Sequence, residues 1–234
     1  MKQKLFHYGC SFTENIRSFK LHNLFTDKYD YHNHGLASSG NGLIFDTFKK
    51  TAESDSIAIL QWSSLTRPRD ENYKILETSD NPLYDYLEEW YGTLSEAREF
   101  SNKNNIKLVQ YIGWAEWKDS ELNDYHRNKL QSFGIHWFKS KKQWDIIASN
   151  CFQFEDPYEW SSPPRQLPDG EYFLWSDIEW GGMSEWIRSN IEIHDRYRGW
   201  TDDTVAGTTY YDPHPSEYAS IQFIKEFLLK TLEM

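Results

Sequence analysis

Leu5-Phe6-His7-Tyr8-Gly9-Cys10-Ser11-Phe12-Thr13 reads as a short strand that runs through a glycine turn into a helix. The first four residues are apolar or aromatic β-formers. Beyond Thr13, Ile16, Phe19, Leu21, Leu24 and Phe25 recur at the three-four spacing of an amphipathic helix over 14–25. A strand, a tight turn and a helix N-terminus together set the side chain of Ser11 at the edge of a sheet. The N–H groups of the first helical turn lie beside it. A serine so placed suits a nucleophile, with its own N–H facing a developing oxyanion. Ser and Thr are also the usual N-caps, and on this stretch alone capping by Ser11 and Thr13 is the stronger reading. The far end of the chain shifts that balance.

Working outward, Tyr29 to His34 alternates as a second strand ending at Gly35, followed by the small-residue loop Leu36-Ala37-Ser38-Ser39-Gly40-Asn41-Gly42. Leu43, Ile44, Phe45 and Phe48 restart a helical face. Ser56-Ile57-Ala58-Ile59-Leu60-Gln61-Trp62 is apolar on both faces, as a central parallel strand is, and leads into Ser63-Ser64-Leu65-Thr66-Arg67-Pro68. Pro82 opens a long helix carrying Leu83, Tyr84, Leu87, Trp90, Tyr91 and Leu94 to a break near Asn102–Asn105. Ile106 to Ile112 is a fourth strand stopped at Gly113, 121–133 a further helix, and Ile135 to Phe138 a fifth strand. Strand and helix in regular alternation predict an α/β fold: a three-layer α/β/α sandwich with a central parallel sheet, in one domain over 1–234. In such sheets catalytic groups collect at the carboxyl ends of strands. Ser11, Gly40-Asn41 and Ser63-Ser64 follow the first, second and third strands and are therefore expected to meet.

Composition narrows the partners. Lys and Arg number 25 against 36 Asp and Glu, a net charge of −11 with no basic stripe, which argues against nucleic acid. Only Cys10 and Cys151 are present, far too few for a disulfide scaffold and without metal-type spacing. No apolar run approaches the ~18 residues of a membrane span, and no signal-peptide core is visible. A cytoplasmic chain with no membrane partner is expected.

Between about 150 and 200 the alternation fades. Phe152 to Trp186 contains nine aromatics among Pro, Gly, Asp and Glu residues. The segment reads as a satellite core under long loops, as an insertion or lid with Trp160, Trp175, Trp180 or Trp186 stacking on a sugar face, or as both. His32 and His34 share one face of a strand, a surface pair with no third metal ligand fixed by spacing. His194-Asp195 and Arg196-Tyr197-Arg198 read as a solvated helix end, with contact to an anionic substrate the sharper alternative. Cys10, beside Ser11, is expected to pack inward.

Tyr210-Tyr211-Asp212-Pro213-His214-Pro215-Ser216 precedes a final helix bearing Tyr218, Ile221, Ile224, Phe227 and Leu228 on one side. It reads as a loop presenting a carboxylate and an imidazole between two prolines, and His is the usual base for activating a hydroxyl. With these residues in view, the chain resembles the SGNH (GDSL-type) hydrolases over its whole length. Gly9-Cys10-Ser11-Phe12-Thr13 is similar to the first block of that family, Gly40 within Leu36 to Asn41 to the second, and Asp212-Pro213-His214-Pro215 to the last. Two departures stand out. Leu65 occupies the place of the third-block Asn, a side-chain oxyanion donor whose loss is worth on the order of 10²–10³ in rate. Asp212 and His214 are two apart rather than three. The variant is similar to a divergent branch found in phage-like and bacterial proteins. An α/β-hydrolase elbow fits less well, because Thr13 stands where its second glycine would be.

The resemblance implies a flavodoxin-like sheet and a serine esterase that needs no cofactor or metal. Ser11 would be the nucleophile, His214 the base and Asp212 its partner. The N–H groups of Ser11 and Gly40 would bind the oxyanion, with Asn41, Ser63, Ser64 or Arg67 supplying the missing donor. Arg67 and Trp180 are also candidates for substrate binding. The implied substrate is a short acyl group on a carbohydrate or related ester. An O-acyltransferase and a non-catalytic glycan- or protein-binding module are the alternatives.

Overall fold

The computed structural model describes residues 2–37, 39–63, 82–113, 124–139, 145–148, 165–166, 171–174, 180–192, 195–203 and 208–234. Five parallel strands form the central sheet: β1 (Lys4–Gly9), β2 (Asp30–Gly35), β3 (Ile57–Trp62), β4 (Lys107–Ile112) and β5 (Ile135–His136), in the order β2-β1-β3-β4-β5. β1 lies between β2 and β3, with Gly9 opposite Gly35 and Tyr8 opposite Leu60, so the carboxyl ends of these three strands come out side by side. All six residues of β3 are buried, as expected of a strand with helices on both faces. Its alternation divides them. Ala58, Leu60 and Trp62 enter one apolar cluster; Ile57 and Ile59 enter the other.

The first cluster is closed by Ile44, Phe45 and Phe48 of α3 (Asn41–Thr51), by Leu87, Trp90, Tyr91 and Leu94 of α4 (Pro82–Lys103), and by Leu130 of α5 (Asp124–Ser132). The second is closed by Leu21 and Phe25 of α2 (Phe19–Thr26), by Met183 and Ile187 of α6 (Met183–Asn190), and by the C-terminal helical segment. That segment runs as α7 (Glu217–Phe223), a π-helical stretch Ile224–Leu228 and α8 (Leu229–Glu233). Among the described residues no helix is long and apolar enough to cross a membrane.

Several expectations need correcting. The helix expected over 14–25 is three pieces: α1 (Ser11–Glu14), a 3-10 turn (Asn15–Arg17) and α2, separated by Ser18, whose backbone leaves the helical region at ψ 144°. The fifth strand expected over Ile135 to Phe138 is split. Ile135–His136 joins the central sheet, while β6 (Phe138–Lys139) pairs with β10 (Trp180–Gly181). Further short strands, β7 (Asp145–Ala148), just before the segment where alternation fades, and β8 (Arg165–Gln166) and β9 (Glu171–Leu174) within it, make an antiparallel sheet. Tyr218 was expected on the buried side of the last helix but is 51% exposed; Ala219, Phe223, Ile224 and Leu228 form that side.

The largest correction lies around His214. The expected loop is strand β12 (Thr208–Pro215), paired antiparallel with β11 (Tyr197–Asp203). The run Thr208-Thr209-Tyr210-Tyr211 supplies the β-formers, and a two-stranded ribbon has the outer edge where proline's missing N–H is tolerated. Pro215 pairs with Tyr197 and Asp212 with Gly199. Pro213 and His214 therefore stand against Arg198 alone, which is a β-bulge. Bulges bend the strand and re-aim a side chain.

Candidate active site

Residues 203 positions apart in the chain meet at the carboxyl end of β1: Ser11 Oγ lies 2.8 Å from His214 Nε2. Cys10, not Ser11, is the N-cap of α1, and no side chain caps that helix. Ser11 is its first residue, so the Ser11 N–H has no carbonyl to bond within the helix. The capping reading of Ser11 and Thr13 is thereby displaced: the Ser11 hydroxyl is directed to an imidazole, and the Thr13 hydroxyl donates to Gln61 Oε1 at 3.0 Å.

The turn that carries Ser11 is tied down from several sides. Leu36 N–H donates to the Gly9 carbonyl at 3.0 Å, and Thr13 N–H and Glu14 N–H donate to the Cys10 carbonyl at 3.0 Å each. Asn33 Nδ2 donates to the Thr13 carbonyl at 2.8 Å. Arg17 donates to the Gly35 carbonyl at 2.8 Å, joining the 3-10 turn to the end of β2. Cys10 is fully buried, as expected from its inward direction.

His214 is delivered from the opposite end of the chain. Ser184 N–H bonds the Gly113 carbonyl at 3.0 Å and docks α6 on the end of β4. Arg196, expected at a solvated helix end, is 2% exposed. It donates from Nε to the Ile191 carbonyl at 2.8 Å and from its terminal nitrogen to the Arg188 carbonyl at 3.0 Å. The Arg196 carbonyl in turn accepts from Ser216 N–H at 2.9 Å. Arg188 and Glu185 form a buried ion pair at 3.8 Å, and Arg188 Nε reaches the Tyr197 hydroxyl at 3.3 Å. Ser216 caps α7 by accepting from Ala219 N–H at 3.0 Å. These bonds hold the end of the ribbon where β11 begins and β12 ends against α6 and α7. The bulge then carries His214 to Ser11, with the Phe12 ring edge-on to the imidazole at 5.5 Å.

The other expected residues distribute as follows. Gly40 is the N-cap of the eleven-residue α3, and Asn41, its first residue, is buried. Asn41 Oδ1 accepts from Ser63 N–H at 2.9 Å, which links the loop after β2 to the end of β3. Because the carbonyl oxygen of that amide faces Ser63, Nδ2 is its donor end. Ser63 is fully buried and its hydroxyl makes no hydrogen bond; the same holds for the hydroxyl of Ser39, just before Gly40. Asp212 stands on β12 opposite Gly199, and its side chain lies outside the described residues. So do Ser64, Leu65, Arg67, Trp160 and Trp175 entirely, and the side chain of Trp180. Trp186, weighed as a stacking residue at the rim, instead packs edge-on against Phe223 at 5.3 Å in the second apolar cluster.

Two buried polar residues near the site were not singled out from the sequence. His7, on β1, is fully buried, with Nδ1 3.2 Å from the Tyr31 hydroxyl and Nε2 3.3 Å from the Tyr111 hydroxyl. Thr13 Oγ1 lies 3.4 Å from the same Nε2. Burial pushes the His7 pKa down to about 3, so its ring is neutral. The same burial pushes the Tyr31 and Tyr111 phenols up. The second missed residue is Gln61, at the end of β3. A polar residue inside an apolar strand is the one trace either leaves.

His32 and His34 lie on β2 against the aromatic side chains of β1. Their rings stack on Phe6 and Tyr8 at 4.9 and 5.1 Å, and His32 Nε2 lies 3.4 Å from Asp30. Among the described residues no three His, Cys, Asp or Glu side chains gather as a metal site would require.

A serine hydroxyl in hydrogen-bond contact with an imidazole, at the start of a helix and at the carboxyl end of a parallel strand, has the parts for proton abstraction and for holding an oxyanion. Compared with known proteins, the chain has no match among family models, curated sequences or solved structures.

Proposed function

We propose that this chain is a serine hydrolase of SGNH type that cleaves an ester, removing a short acyl group from a carbohydrate or related alcohol. The observation that carries the reading is the 2.8 Å contact between Ser11 Oγ and His214 Nε2. The sheet order 2-1-3-4-5 supports it, because that is the order of flavodoxin-like doubly wound sheets, whose sites lie at the carboxyl ends of strands.

In this reading Ser11 attacks the acyl carbon while His214 Nε2 takes its proton, and the imidazolium returns the proton to the leaving alcohol. An orienting carboxylate acts on Nδ1, the role proposed for Asp212. The Ser11 and Gly40 N–H groups bind the oxyanion with Asn41 Nδ2, whose orientation is set by the bond from Ser63 N–H to Oδ1. The buried hydroxyl of Ser63 is a further donor at the same strand end. Neither metal nor organic cofactor enters this scheme, and the proposed setting is cytoplasmic.

The test is hydrolysis of a panel of acetylated sugars and p-nitrophenyl esters by wild type, Ser11→Ala and His214→Ala, with product analysis in the presence of a sugar acceptor. Ester cleavage that vanishes in both variants is expected. Acyl transfer to the acceptor would make the chain a transferase on the same site, and no turnover with wild type would favour a binding module.

A further inference from the structure

Beneath the Ser11 turn sits one side chain that the chemistry above does not use. Gln61 is fully buried at the carboxyl end of β3. Its Oε1 accepts from Cys10 N–H at 3.1 Å, from the Thr13 hydroxyl at 3.0 Å and from the Cys10 thiol at 3.3 Å. Its Nε2 donates to the Trp62 carbonyl at 2.7 Å, which fixes which way the amide faces. One carbonyl oxygen thus gathers donors from both sides of Ser11, at positions 10 and 13.

Two glycines clear the space for this amide. A Cβ on Gly9 would lie 2.6 Å from Gln61 Oε1 and 2.2 Å from Thr13 Oγ1, and a Cβ on Gly113 would lie 2.6 Å from Gln61 Nε2. All three separations are inside van der Waals contact. An apolar residue at 61 would leave the Cys10 N–H and the Thr13 hydroxyl buried with no acceptor there, an unfavourable state for either group.

The consequence reaches the reacting atoms. Gln61 fixes the Gly9–Cys10 peptide through its N–H. The Cys10 carbonyl, bonded to Thr13 and Glu14 N–H, fixes the next peptide. The N–H on that second peptide belongs to Ser11. With both planes held, the direction of the Ser11 N–H and the position of its Cα are set.

We propose that Gln61 is a positioning residue, whose side-chain carbonyl holds the Ser11 turn so that Ser11 Oγ meets His214 Nε2 while Ser11 N–H faces the oxyanion. This rests on the hydrolase reading above. The Gln61 amide touches no reacting atom itself.

The experiment measures labelling of the full chain by a fluorophosphonate probe, separating the rate constant at saturating probe from the probe's apparent affinity. Circular dichroism and thermal melting run in parallel. Gln61→Leu is expected to melt cooperatively and to label on the order of 10–100-fold more slowly at saturation, with apparent affinity within about threefold of wild type. Gln61→Glu keeps an oxygen facing Cys10 N–H and Thr13, and is expected to recover most of that loss. Thr13→Val removes one donor to Gln61 while keeping the side chain's shape. It is expected to fall between wild type and Gln61→Leu, and it carries the test should Gln61→Leu not fold. Labelling of Gln61→Leu at the wild-type rate, a loss confined to affinity, or Gln61→Glu as slow as Gln61→Leu would each overturn the proposal while leaving the hydrolase reading intact. Absence of labelling in wild type would instead overturn the hydrolase reading, and this proposal with it.

Discussion

Replacing His7 by glutamine removes a titratable ring from a fully buried site on β1, and its effect on stability depends on pH in a definite sense. In the folded chain burial holds the His7 pKa at about 3, against 6.5 for the ordinary ring. The unfolded chain therefore takes up a proton below pH 6.5 that the folded chain refuses. Stability from this group is complete above that pH and is lost as the pH falls toward the folded value. The slope approaches 1.4 kcal/mol per pH unit. At pH 5 the loss is about 2 kcal/mol, and its ceiling near pH 3 is about 5 kcal/mol. His34 and His136 are also held below the ordinary value by burial. They push the wild-type curve the same way, so the quantity to follow is the difference between wild type and His7→Gln. Urea unfolding of both proteins at pH 7.5 and pH 5.0 measures it. At pH 7.5 the variant is expected to be less stable by about 1–3 kcal/mol, because one tyrosine hydroxyl near the ring loses its partner. At pH 5.0 that gap is expected to close by about 2 kcal/mol. A gap of the same size at both pH values would refute a neutral, buried His7.

Asn41→Asp keeps an oxygen to accept from Ser63 N–H but removes the amide donor; it is expected to melt near wild type and to lose on the order of 10² in ester hydrolysis. Equal turnover would remove Asn41 from the oxyanion site. Arg188→Met leaves Glu185 buried beside an apolar chain and is expected to cost about 3–5 kcal/mol in urea unfolding, with partial recovery in Arg188→Met/Glu185→Gln. A cost below about 1 kcal/mol would show that this ion pair does not hold the His214 ribbon in place. Trp62→Ala removes the largest fully buried side chain of β3 and is expected to cost about 3–5 kcal/mol, read from a thermal melt.

The central sheet was legible because buried parallel strands are continuous apolar runs. β3, expected over 56–62, spans Ile57–Trp62, and β4, expected over 106–112, spans Lys107–Ile112. Ser11 and His214 were legible as a candidate pair because few side chains suit nucleophile and base, and each sits in a short motif. What escaped depends on long-range partners. α6 buries Ser184, Glu185, Arg188 and Ser189, so its inward face looks like a surface until the ion pair and the Tyr197 contact are seen. Arg196 reads as solvated for the same reason, because its acceptors are backbone carbonyls that no motif announces. The prolines around His214 suggest a loop, whereas pairing with β11 makes them part of a bulged ribbon. Gln61 and His7 are ordinary interruptions of apolar strands until the neighbouring strands and α1 supply Cys10, Thr13, Tyr31 and Tyr111.

Ser11 is proposed to be made nucleophilic by His214 across the fold. The most direct measurement is mass spectrometry of the full chain after fluorophosphonate treatment, with peptide mapping of the adduct, for wild type, Ser11→Ala and His214→Ala. One adduct per chain on Ser11 in wild type is predicted, none in Ser11→Ala, and labelling slowed by on the order of 10³-fold or more in His214→Ala. An adduct on another residue, or labelling of Ser11 that is indifferent to the loss of His214, would contradict it.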